Sequence, residues 1–87
     1  MPHYYLHVRN TVGYARDEEG QEFADLAHAR LQALAGARSI LSEEVKAGLL
    51  DLRGAIEIAD AAGAILLEAP FADAVVITTD ESPVRRP

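Results

Sequence analysis

Between Asp25 and Gly48 the apolar residues return at helical spacing: advancing about 100° per residue, Ala27, Leu31, Leu34, Ala37, Leu41 and Val45 fall on one stripe. That stripe predicts an amphipathic helix whose buried face it forms. Asp25 has N-cap chemistry, because its carboxylate can accept from the free amides of the first turn. Gly48 suits the C′ position, with Lys46 beside the exposed carbonyls. Burying the four larger side chains of the stripe contributes roughly 8 kcal/mol as an upper value, comparable with the net stability of a small domain. Such a helix needs a partner layer.

The flanks supply one. Residues 3 to 9 alternate, with Tyr4, Leu6 and Val8 on one side and His3, Tyr5, His7 and Arg9 on the other, which predicts a strand. Turn chemistry at Asn10 to Gly13 returns the chain as a short second strand, Tyr14 to Arg16, before the acidic turn Asp17-Glu18-Glu19-Gly20. A short extended piece, Gln21 to Phe23, leads into the helix. Beyond Gly48, the apolar run Leu49 to Arg53 folds back over the end of the core, and Gly54 ends it. Ala55 to Ala59 and Ala64 to Ala69 read as a hairpin joined at Asp60-Ala61-Ala62-Gly63. Pro70 stops the second of these strands, and residues 71 to 77 fit either a helical turn or a short edge strand.

The expected fold is therefore α+β, in the order β-β-α-β-β: an antiparallel sheet of about four strands with one long helix on one face. Residues 1–77 form the domain, and 78–87 read as a disordered tail. The far face of the sheet, carrying Tyr5, His7, Leu66 and Glu68, is left uncovered by this arrangement.

Composition narrows the function. Eighty-seven residues hold one domain, and the absence of cysteine excludes disulfides and thiolate metal sites. No apolar run approaches the roughly 20 residues of a membrane span, and no basic-then-hydrophobic leader opens the chain, so a cytoplasmic protein is expected. Fourteen acidic against eight basic residues give a formal charge of −6, which repels phosphate backbones. Direct nucleic-acid binding is not expected.

Chemistry is sparse. His3 and His7 share a strand face but stand roughly 13 Å apart, too far to chelate one ion. The carboxylates of Asp17, Glu18, Glu19 and Glu22 lack the ligand spacing of a calcium loop. No metal, cofactor or catalytic residue is implied. A second helix stripe, Ala29, Ala33, Gly36 and Ile40, is small enough for close approach, and Gly36 costs about 1 kcal/mol relative to alanine, so this stripe is a candidate homodimer seam. The open sheet residues Tyr5, His7 and Leu66 are the alternative seam. Pro2 admits one enzyme reading. With Met1 removed, its secondary amine in an apolar pocket would act as a general base, as in the proline-first tautomerases that Pro2-His3-Tyr4 resembles. In that family the first strand runs directly to a helix, whereas here a hairpin intervenes.

Taken together, Met1-Pro2-x-Tyr4-Tyr5-x-His7-Val8-Arg9, Asp17-Glu18-Glu19-Gly20-x-Glu22, Asp25-Leu26, Leu52-x-Gly54-x-Ile56-Glu57-Ile58-x-Asp60 and Pro70-Phe71-x-Asp73-Ala74-Val75 resemble a family of short proteobacterial proteins classed only as a domain of unknown function. That resemblance implies no activity. A looser one is to antitoxins of the HicB type, where a hairpin, an acidic turn and an alanine-rich helix follow in the same order and the partner is a small basic toxin. This chain lacks their Pro-Asp-Leu-Pro-Gly sequence and any appended DNA-binding segment. The sequence thus leads to a non-enzymatic, self-associating module, expected as a homodimer, that binds another protein.

Overall fold

The computed structural model describes residues 1–79. Its elements are β1 (His3–Arg9), β2 (Tyr14–Ala15), β3 (Gln21–Glu22), α1 (Leu26–Lys46), β4 (Ala55–Ala59), β5 (Ile65–Pro70) and a 3-10 turn at Phe71–Asp73. The sheet is antiparallel in the order β2-β1-β4-β5, and β3 pairs with the other end of β1. This is the expected α+β architecture with a fifth strand: the extended piece before the helix bonds to β1, where His3 faces Glu22 and Tyr4 faces Gln21. Residues 80–87, most of the expected tail, lie outside the described residues. The choice left open for residues 71 to 77 resolves as the 3-10 turn followed by irregular chain.

Strand alternation sets the two faces. Leu6 lies opposite Ile58 and Val8 opposite Ile56, and these β4 residues face Leu67 and Ala69 of β5, so one apolar surface meets the helix. The hairpin between β4 and β5 turns at Asp60, whose carboxylate accepts from the N–H groups of Ala62 and Ala64 at 2.9 Å each. Phe71 and Ile58 are the largest fully buried side chains. Phe71 donates its N–H to the Gly54 carbonyl at 2.9 Å, and its ring leaves no room there for a side chain: a Cβ on Gly54 would lie 2.7 Å from Phe71 Cε2 and 2.6 Å from the Arg9 carbonyl oxygen.

Both ends of α1 form as their residues dictate. The Asp25 carboxylate accepts from the His28 N–H at 2.9 Å and also meets the His28 ring at 2.7 Å. At the far end Gly48 N–H donates to Val45 O and Leu49 N–H to Glu44 O, with Gly48 at φ 87, the paired bonds of a Schellman stop.

The buried face of α1 departs from the stripe expected for it. Ala29, Ala33, Leu34, Ala37 and Leu41 are buried and Ile40 packs on the core, whereas Leu31 is 62% and Val45 53% exposed. At 100° per residue the buried arc is rotated by roughly 70°. The reason is volume. Leucines dominate any apolar average, but the sheet presents Ile56 and Ile58 to the helix, and small residues opposite large ones let the layers close without voids. Gly36 belongs to this inward side, where an added Cβ would sit 3.7 Å from Ile56 Cδ1. Of the run after the helix, Leu52 packs on the core while Leu49 and Leu50 remain half exposed.

Candidate functional site

Two surfaces emerge from this packing. The first is the sheet face turned away from α1, where alternation places Tyr5, His7 and Arg9 of β1, Glu57 of β4 and Glu68 of β5; beyond Glu68 the register shifts, so that Ala59 pairs with Ile65 and Leu66 stands exposed at the irregularity beside this face. Glu57 and Glu68 are cross-strand partners, and two carboxylates directly opposite repel. Arg9 resolves the conflict: its Nε donates to Glu57 Oε2 at 3.4 Å and its Nη2 to Glu68 Oε1 at 3.1 Å. Tyr14, from β2, completes the group by donating its hydroxyl to Glu57 Oε1 at 2.8 Å. That hydrogen bond, with partial desolvation and the Glu57 charge, raises the Tyr14 phenol above its ordinary value.

His7 is buried on the same side, 5.8 Å from the Tyr14 ring. Its Nδ1 accepts the Asp17 N–H at 2.9 Å, so the neutral imidazole carries its proton on Nε2. The Asp17 carboxylate reaches back to β1, accepting from Leu6 N–H at 3.0 Å, and closes its own turn through Gly20 N–H at 3.0 Å and Glu19 N–H at 3.3 Å. Burial opposes ionisation of this carboxyl, but the three backbone donors more than offset it, holding it below the usual aspartate range. His3 is engaged separately, with Nε2 2.8 Å from the Glu19 carbonyl and its ring 5.2 Å from Tyr5.

The second surface is an open groove of about 420 Å³ beside α1, bounded by Leu41 and Val45 on the helix, Leu50 after it, and Val75 and Ile77 beyond the 3-10 turn. Arg38 stands at its margin and donates Nε to the Ala74 carbonyl at 2.7 Å. The groove lies on the stripe expected to face the sheet, and the rotation of the helix is what leaves it open.

Of the residues singled out from sequence, Tyr5 and His7 fall on the open sheet face, and Leu66 is exposed beside it. Ala29, Ala33, Gly36 and Ile40 do not form an outward seam, because the chain's own sheet packs against them. Pro2 is exposed, and its carbonyl accepts the Phe23 N–H at 3.0 Å. Tyr14, Glu57 and Arg9 were not marked by sequence. Only the β1–β4–β5 register, which puts His7, Glu57 and Glu68 abreast, reveals that cluster. Among the described residues no three His, Asp or Glu side chains converge as metal ligands, and no helix is long and apolar enough to cross a membrane.

A family model described as a domain of unknown function matches residues 3–72. No curated protein and no solved structure matches the chain.

Proposed function

Because the chain belongs to the family described as a domain of unknown function, DUF6894, whose description carries no activity, we propose a role from its surfaces: a self-associating module that binds a second, basic protein across the open face of its sheet. The observation that carries this reading is the set of Tyr5, Tyr14 and Arg9, with Leu66 exposed beside them, on a face that no helix covers among the described residues. Tyrosine and arginine dominate binding hot spots because each offers a large, stiff contact area with a polar end. Here Arg9 and Tyr14 are already held by Glu57, so little side-chain freedom is lost on docking. The formal charge of −6 favours encounter with a partner of positive charge.

The test is affinity isolation with the immobilised chain beside two folded variants, Leu66→Glu and Tyr5→Glu. A basic protein retained by the native chain and lost from both variants is the expected result. Equal retention by all three, or no basic protein retained, overturns the reading.

A further inference from the structure

We propose that the groove beside α1 is filled by Leu31 of a second copy, with the two α1 helices antiparallel about a twofold axis near Arg38. The proposal rests on the self-association part of the reading above and gives it a location.

Knob and hole lie on one helix face. Leu31 is 62% exposed, and the groove opens further along the same side, around Leu41 and Val45. Leu31 and Val45 are separated by four helical turns, roughly 21 Å, and Arg38 stands midway between them. An axis perpendicular to the helix at that midpoint carries each Leu31 onto the partner's Val45, so one rotation fills both grooves.

The spacing supports a helix seam. Leu31, Arg38 and Val45, all exposed, recur at intervals of seven, which keeps one line of contact along the helix. Ala35 and Ser42 flank that line with small side chains, and the antiparallel arrangement pairs opposite ends of the helix dipoles. Two Arg38 residues near the axis would repel if they pointed at each other. Each is instead tied through Nε to its own Ala74 carbonyl.

Area agrees in magnitude. Leu31, Val45, Leu50 and Ile77 are each half exposed or more, with Leu49 and Val76 also exposed. Their apolar area is on the order of 500 Å², at the upper end of what a monomer leaves open. Two such patches bury on the order of 1,000 Å² before Ala35 and Ser42 are counted, which reaches the lower range of specific interfaces.

Sedimentation velocity of the full chain over a wide concentration range is the test. The native chain is expected to dimerise, and Leu31→Glu and Val45→Glu should each weaken the dimer at least about a hundredfold with unchanged far-UV circular dichroism. Because the chain has no cysteine, geometry can be read independently. Oxidising a mixture of Leu31→Cys and Val45→Cys chains should give the mixed disulfide faster than either self-pair. A native chain that stays monomeric overturns both the self-association and this seat. A dimer that survives Leu31→Glu but is dissociated by Leu66→Glu, or self-pairs that form faster than the mixed disulfide, overturns the seat alone.

Discussion

The backbone N–H of Asp17 donates to Nδ1 of His7 at 2.9 Å, and so a turn rich in carboxylates is fastened to the middle of β1. β2 and β3 bond to the two ends of that edge and leave its centre unpaired. Asp17 fills the gap, its carboxylate receiving the Leu6 N–H. Replacing it strands Leu6, Glu19 and Gly20 donors together. Asp17→Ala is expected to cost about 2 to 3 kcal/mol, since hydrogen bonds to charged groups contribute more than neutral ones, and to speed hydrogen exchange at the Leu6 amide. Thermal or urea unfolding with amide exchange checks both.

The same carboxylate gives the fold an acid limit. Its folded value lies below the unfolded one, so its contribution is fully present above the unfolded value of about 4 and is lost as pH falls through the folded value. Urea stability measured from neutral pH down to about pH 3 should decline in the native chain. Asp17→Asn should start lower and decline less.

Tyr14 sets a signature at the alkaline end. Its phenol is raised by the hydrogen bond to Glu57, so the stabilising contribution is present below the unfolded phenol value of about 10 and disappears as pH rises through the folded one. Spectrophotometric titration should show one of the three tyrosines ionising late. Glu57→Gln should bring that step earlier, and Tyr14→Phe should remove it.

Two glycines make opposite predictions. At Gly36 a methyl group meets only Ile56 Cδ1 at ordinary contact distance, so Gly36→Ala should stabilise by about 0.5 to 1 kcal/mol through lost unfolded-state freedom. At Gly54 the same change drives a methyl into Phe71 and the Arg9 carbonyl, and Gly54→Ala should destabilise by about 2 kcal/mol or more. Denaturant midpoints decide both.

The rotated face of α1 is tested by Ala33→Leu. Ala33 is fully buried against the sheet, and added bulk there should cost about 1 to 3 kcal/mol. Had this residue lain on an outward seam, the monomer would have absorbed the change.

Why the helix ends were legible and its facing was not follows from where the determinants reside. Asp25 and Gly48 act on amides and carbonyls a few residues away, so their roles can be read locally. The same holds for the Asp60 turn and for the alternation of β1. The facing of α1 depends on the volumes of Ile56 and Ile58, which come from a distant strand, so the stripe of leucines placed Leu34, Ala37 and Leu41 inside correctly but Leu31 and Val45 on the wrong side. The polar cluster at Glu57 was hidden for a related cause: Arg9, Tyr14 and Glu68 become its neighbours only after four strands settle into register. Asp17 looked like one solvated carboxylate among several. Its distinction is a gap on an edge that forms elsewhere.

β1 is flanked on one side by strands that follow it directly and on the other by β4, from the second half of the chain. During synthesis the amino-terminal ribbon therefore leaves the ribosome with one side bare, and it stays bare until the helix and the stretch after it have emerged. Folding cannot finish from the front. The nascent chain must hold a sticky, half-made layer in solution meanwhile, and a translational pause placed before Ala55 would lengthen that exposure and raise losses to aggregation.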